Sequence, residues 1–120
     1  MASPNVKNIF ETTDYQGRIV TLTEERFRHI KQGRVFDDTT KWPDAIRNTV
    51  ESPDLVVAGD YVDTEIFCKE DAGDETTKGK WMNVPVSYQM GFGSVRTAML
   101  SNRPKKQNRK LLHIRPGLFE

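Results

Sequence analysis

Apolar residues recur along this chain with two different periods, and the change from one to the other organises it. Ile19, Val20 and Leu22 form a short, mostly β-branched stretch that predicts a strand. Thr23 follows as a helix N-cap, with Glu24 and Glu25 in the first turn, where the helix dipole favours acids. Phe27 and Ile30 make the apolar edge of this helix, which should end near Gly33. A second helix is better marked. Trp42, Ala45, Ile46, Thr49 and Val50 recur at helical spacing, Pro43 suits the first turn, and Ser52-Pro53 stops it.

From there the period is two. Leu55-Val56-Val57-Ala58 predicts a short strand, Gly59-Asp60 a turn, and Tyr61 to Lys69 a second strand. Glu70 to Lys80 is polar and unpatterned, a loop. Met82, Val84, Val86 and Tyr88 line one face of the next strand, and Pro85 among them predicts an edge position or a bulge. Gly91-Phe92-Gly93 connects to a last strand, Ser94–Leu100. Residues 1–13 show no period and read as an arm. At 120 residues the chain is one domain. Two helices followed by an antiparallel meander make the expectation an α+β domain over 14–101, with a basic C-terminal tail over 102–120.

Charge changes this picture more than composition does. The net charge of +1 hides two opposed segments. Glu51, Asp54, Asp60, Asp63, Glu65, Glu70, Asp71, Asp74 and Glu75 face a single Lys69, whereas Arg103, Lys105, Lys106, Arg109, Lys110 and Arg115 stand with no acid between them. A cluster of the second kind is an electrostatic footprint for phosphates; its plain alternative is a solvated tail. One cysteine, Cys68, excludes an internal disulfide and reads as a buried small hydrophobe. No signal-peptide layout and no membrane-length apolar run is present, so the default is a soluble protein of the reducing cytoplasm.

Few residues carry chemistry. His29 falls off the stripe of Phe27 and Ile30 and one turn after Glu25, so it should be at least partly accessible with a carboxylate within reach; its plain alternative is a surface histidine in a helical i, i+4 contact. Thr97 shares a strand face with Val95 and Met99; Arg96 points the other way unless a bulge intervenes. Arg18, Arg26 and Lys80 are further candidate cations. No HxxxH or HxH spacing and no calcium loop occurs, and Gly91-Phe92-Gly93 lacks the helix and lysine of a phosphate loop, so neither metal nor cofactor is expected.

An ordered set of fragments adds a family. Asp14-Tyr15-Gln16-Gly17-Arg18-Ile19-Val20, then Leu22-Thr23-Glu24-Glu25-Arg26-Phe27-Arg28-His29-Ile30, then Ile46-Arg47-Asn48-Thr49-Val50-Glu51-Ser52-Pro53-Asp54, and finally Val95-Arg96-Thr97-Ala98 together resemble the phage-associated branch of the barnase–EndoU–colicin–RelE (BECR) nuclease superfamily. The resemblance runs from about Asp14 to Leu100. It implies two N-terminal helices packed on a four-stranded antiparallel sheet, and a metal-independent endoribonuclease, a toxin or phage effector cutting RNA, tRNA among its candidate substrates. On that reading His29 is the acid/base, Thr97 positions the phosphate, and Arg26 or Lys80 supplies charge, while Arg18, Arg96, Arg103, Lys105, Lys106 and Arg109 hold substrate. The 2′-OH attacks the neighbouring phosphorus and leaves a cyclic phosphate. The chain departs from the family where Lys31-Gln32-Gly33-Arg34-Val35-Phe36-Asp37 replaces a His-Pro-Glu segment, at Met99, and at Pro85. Two other readings stand beside it: an inactive module that binds RNA through its basic segment, and a module whose acidic 51–75 face contacts a host or immunity protein.

Overall fold

Both helices form where the apolar period places them. The computed structural model describes residues 7–32, 42–72, 78–105 and 108–117. Helix α1 spans Glu24–Gln32 and buries Phe27 and Ile30. Its N-terminus is capped by Thr23, whose hydroxyl oxygen accepts from the Arg26 N–H at 3.1 Å. Helix α2 spans Trp42–Glu51 and buries Trp42, Ala45, Ile46, Thr49 and Val50, the periodic set. The buried Thr49 hydroxyl is satisfied by donating to the Ala45 carbonyl at 2.7 Å.

The sheet differs from the expectation. Eight strands, not four, make one mixed sheet: β1 (Asn8–Thr13), β2 (Ile19–Thr23), β3 (Leu55–Ala58), β4 (Thr64–Glu70), β5 (Trp81–Gln89), β6 (Phe92–Val95), β7 (Met99–Ser101) and β8 (Leu111–Ile114). Their order is β1-β2-β6-β5-β4-β3-β8, with β7 on β5. All pairings are antiparallel except β2–β6. That parallel pair is reached by a long crossover through both helices and β3–β5, as parallel neighbours require. The two helices on a four-stranded antiparallel sheet are therefore corrected to an eight-stranded mixed sheet with two helices. The reason lies in the outer strands. β1, inside the segment read as an arm, buries Phe10 alone, and β8, inside the segment read as a tail, buries nothing fully, so neither shows an apolar period.

Pro85 lies in a central strand and is tolerated because its neighbour is broken. Val86 pairs with Val95 and Asn83 with Met99, so β5 uses two residues where the partner uses three. The extra residue is a β-bulge at Arg96–Ala98, which splits the expected strand Ser94–Leu100 into β6 and β7. The Pro85 carbonyl still accepts the Arg96 N–H at 2.9 Å, and the position of the N–H that proline lacks falls at the bulge, where the regular ladder is already interrupted.

Two cores follow from the two sheet faces. On the helix-covered face Val20, Leu22, Phe67, Met82, Val84, Val86 and Val95 pack with Phe27, Ile30, Trp42, Ile46 and Val50. On the outer face Leu55, Val57, Ile66, Cys68 and Trp81 form a smaller cluster. After β7, Lys105 reaches Asn83 on that outer face, and β8 pairs with β3 at the sheet edge.

Candidate functional site

The bulge sets the geometry of the outer face. Val95 and Ala98 both point into the helix-side core, so Arg96 and Thr97 between them both point outward. They line a hollow of about 550 Å³ together with Lys105, Arg109, Ser87, Thr64, Tyr61 and Asp60. A shallower one, about 400 Å³, adjoins it beneath Asn108, Arg109 and Lys110.

One side of the hollow is the hairpin turn between β3 and β4. Gly59 donates to the Thr64 carbonyl at 2.7 Å, and the Thr64 N–H returns to the Tyr61 carbonyl at 3.1 Å. A Cβ on Gly59 would stand 2.6 Å from the Thr64 methyl, so only glycine permits this closure. The other side is the segment after β7, held by Asn83. This fully buried amide donates to the Trp81 carbonyl at 3.2 Å, the Met99 carbonyl at 3.4 Å and the Ser101 hydroxyl at 2.8 Å. Its oxygen accepts the Lys105 N–H at 3.1 Å, which seats Lys105 at the rim. Asn83 thus spans the gap that the bulge opens.

The cations here differ in their engagement. Arg109 Nη1 is 2.8 Å from Asp60 Oδ1 and donates to the Ala58 carbonyl at 3.3 Å, which ties the returning segment to the hairpin. Arg96 and Lys105 are exposed, and neither side chain has a carboxylate partner among the described residues. Cys68 lies beneath them, fully buried, and burial pushes its thiol up to about 12 against the opposing effect of the Lys105 N–H and nearby positive charge. It is a core thiol rather than a nucleophile.

The remaining expected site residues lie elsewhere. His29 is exposed on α1, which packs against β1 and β2 on the opposite face, so the structure does not bring it together with Thr97. Arg26 is half-buried on the same helix. Lys80 is exposed in the turn before β5, its carbonyl accepting the Asp71 N–H at 3.1 Å. Arg103 is exposed, and Lys106 lies outside the described residues.

Arg18 is fully engaged on the helix side. Its Nε lies 2.8 Å from Asp14, its two terminal nitrogens each 2.9 Å from Glu65, and its guanidinium 3.9 Å from the centre of the Tyr88 ring. The hydrogen bond to Glu65 raises the Arg18 pKa further above its already high ordinary value. Asp14, with no exposed side-chain surface, also accepts from the Tyr88 hydroxyl at 2.6 Å and from the backbone N–H groups of Gln16 and Arg18. Burial, then that carboxylate, raises the Tyr88 phenol above its usual range. His113, on β8, stacks on Tyr15 with ring centres 4.5 Å apart.

Sequence reasoning missed Asn83, Ser87 and Tyr61. Asn83 carries no signal of its role, because it alternates with the apolar face of Met82, Val84, Val86 and Tyr88 and is buried only by the segment that folds over the other face. Among the described residues no group of three or more His, Cys, Asp or Glu side chains is placed to hold a metal ion, and no helix is long and apolar enough to cross a membrane. Comparison with protein-family models, with characterised proteins and with solved structures finds no match to this chain.

Proposed function

We propose that this protein binds RNA through the outer-face hollow, with Arg96 and Lys105 on phosphate oxygens and the Thr97 and Ser87 hydroxyls as further donors. The observation that carries this reading is the bulge, which turns Arg96 and Thr97 to the same side and sets them beside a second cation lacking a carboxylate partner among the described residues. Cations already held by carboxylates contribute little to a polyanion; free ones release counterions on binding. RNA rather than another polyanion comes from the fragment resemblance. A protein-contact role for the acidic segment has less support, because Glu51, Asp54, Asp60 and Glu65 are each in ion pairs with Arg47, Arg115, Arg109 and Arg18.

Cleavage requires a group that exchanges protons near neutral pH beside the scissile phosphate. The described residues lining the hollow include no histidine, and His29 is on the other face. Binding without cutting is therefore the better-supported form, and the ribonuclease is its alternative. A titration of labelled RNA at two salt concentrations, parent against Arg96→Gln plus Lys105→Gln, tests binding: equal affinity for both proteins sinks the proposal. Incubating RNA in EDTA beside a His29→Ala control tests cleavage, and cyclic-phosphate ends that vanish in the control would restore the nuclease.

A further inference from the structure

We infer that the RNA taken by this site is single-stranded, with a base stacked on Tyr61 while its phosphate sits on Arg96 and Lys105. This rests on the RNA-binding reading above. Cavity size, an exposed aromatic rim and the spread of charge point the same way.

The hollow, about 550 Å³, falls in the range that encloses a ligand of nucleotide size. Tyr61 borders it and is 79% exposed, and the adjoining Val62 is 89% exposed. Such an aromatic rim offers nothing to a duplex, whose bases face inward, but stacks readily on the free face of an unpaired base. The ring is also presented by a braced turn, since Gly59–Thr64 closure and the Arg109–Asp60 pair hold the hairpin. Little ordering is then left to oppose binding.

The outer face continues beyond the hollow in the same chemistry. Ser87 lines it, Ser94 is the cross-strand neighbour of Ser87, and Phe92 lies two residues along β6 on the same face, 60% exposed. A second aromatic thus follows the first across a surface of hydroxyls. Charge sets which side the backbone takes. Asp60 is offset by Arg109, but Asp63 is exposed at the hairpin tip. A phosphate there would be repelled, so the bases run toward the tip and the backbone toward Arg96 and Lys105.

Fluorescence anisotropy with a labelled RNA of about 12 nucleotides, within the span of known single-strand sites, and with the same strand annealed to its complement tests the idea. The single strand is expected to bind at least about tenfold more tightly than the duplex. Tyr61→Ala should weaken single-strand binding on the order of tenfold without changing the salt slope, while Tyr61→Phe, which keeps the ring, stays near the parent. Equal affinity for duplex and single strand, or Tyr61→Ala binding like the parent, overturns the inference. If binding still falls in Arg96→Gln plus Lys105→Gln, the RNA-binding reading survives that loss. A parent protein that binds neither RNA removes both and favours a protein partner for the exposed tip.

Discussion

Arg18 and Arg96 occupy opposite faces of one sheet and put the same guanidinium to different use. Arg18 is held by Asp14 and Glu65 and lies on the Tyr88 ring; Arg96 projects into a hollow with no carboxylate partner among the described residues. The contrast separates charge that stabilises the fold from charge left over for a ligand. A buried carboxylate such as Asp14 is tolerable only because several donors converge on it, so its network must stay intact. An exposed cation costs little to keep and, on the proposed reading, gains its value from a phosphate.

The comparison is broken most severely at Asp14. Asp14→Ala leaves the Tyr88 hydroxyl and the Arg18 guanidinium short of a partner in a buried setting, and should cost about 3 kcal/mol in urea unfolding. Loss of less than about 1 kcal/mol, the scale of an exposed pair, would mean that the network is no more than surface pairing. Next comes Asn83→Ala, which removes the clamp across the bulge. It should cost about 2 kcal/mol and weaken RNA binding as Lys105 loses its seat, whereas a variant that loses stability but keeps affinity would separate the clamp from the site.

Arg96→Gln plus Lys105→Gln should do the reverse of Asp14→Ala. Stability should move by no more than about 0.5 kcal/mol, while the logarithmic salt slope for a single strand falls by about 0.7 for each phosphate that is no longer neutralised. Cys68 reports on the same region through pH. Its folded-state thiol is raised, so its contribution to stability is fully present below the ordinary thiol value near 9 and is lost progressively as pH rises toward about 12. Alkylation at mildly alkaline pH should therefore be slow in the native protein and fast in denaturant; equal rates would show the outer-face segment to be open. The smallest effect concerns the turn between β5 and β6, where Met90 (φ 53°) and Gly91 (φ 82°) are both left-handed. Asparagine suits the first position of such a turn better than methionine, so Met90→Asn should raise stability by about 0.5 kcal/mol in thermal unfolding.

Legibility in the sequence follows how much each segment buries. α2 is readable because burial repeats along it at helical spacing, and β3 to β5 because they carry runs of buried apolar and β-branched residues. β1 and β8 are not, since edge strands bury few side chains and are held by backbone hydrogen bonds that leave no mark on residue type. Pro85 signals an edge or a bulge, and the bulge is present, but on the neighbouring strand. Arg96, Thr97, Lys105 and Arg109 stand out as candidates in the sequence without any sign that they share one hollow, and His29 stands out with them although it lies on the other face.

By itself, then, the sequence determined the two helices, the central strands and a surplus of positive charge near the C-terminus. These depend on local period and composition. Tertiary structure alone decided which cations lack carboxylate partners among the described residues, because pairing joins residues as distant as Arg18 with Glu65 and Arg109 with Asp60. It also decided that Arg96 and Thr97 face the same way. One extra residue in a ladder reverses the alternation of a strand, and that residue is visible only against the partner it fails to match.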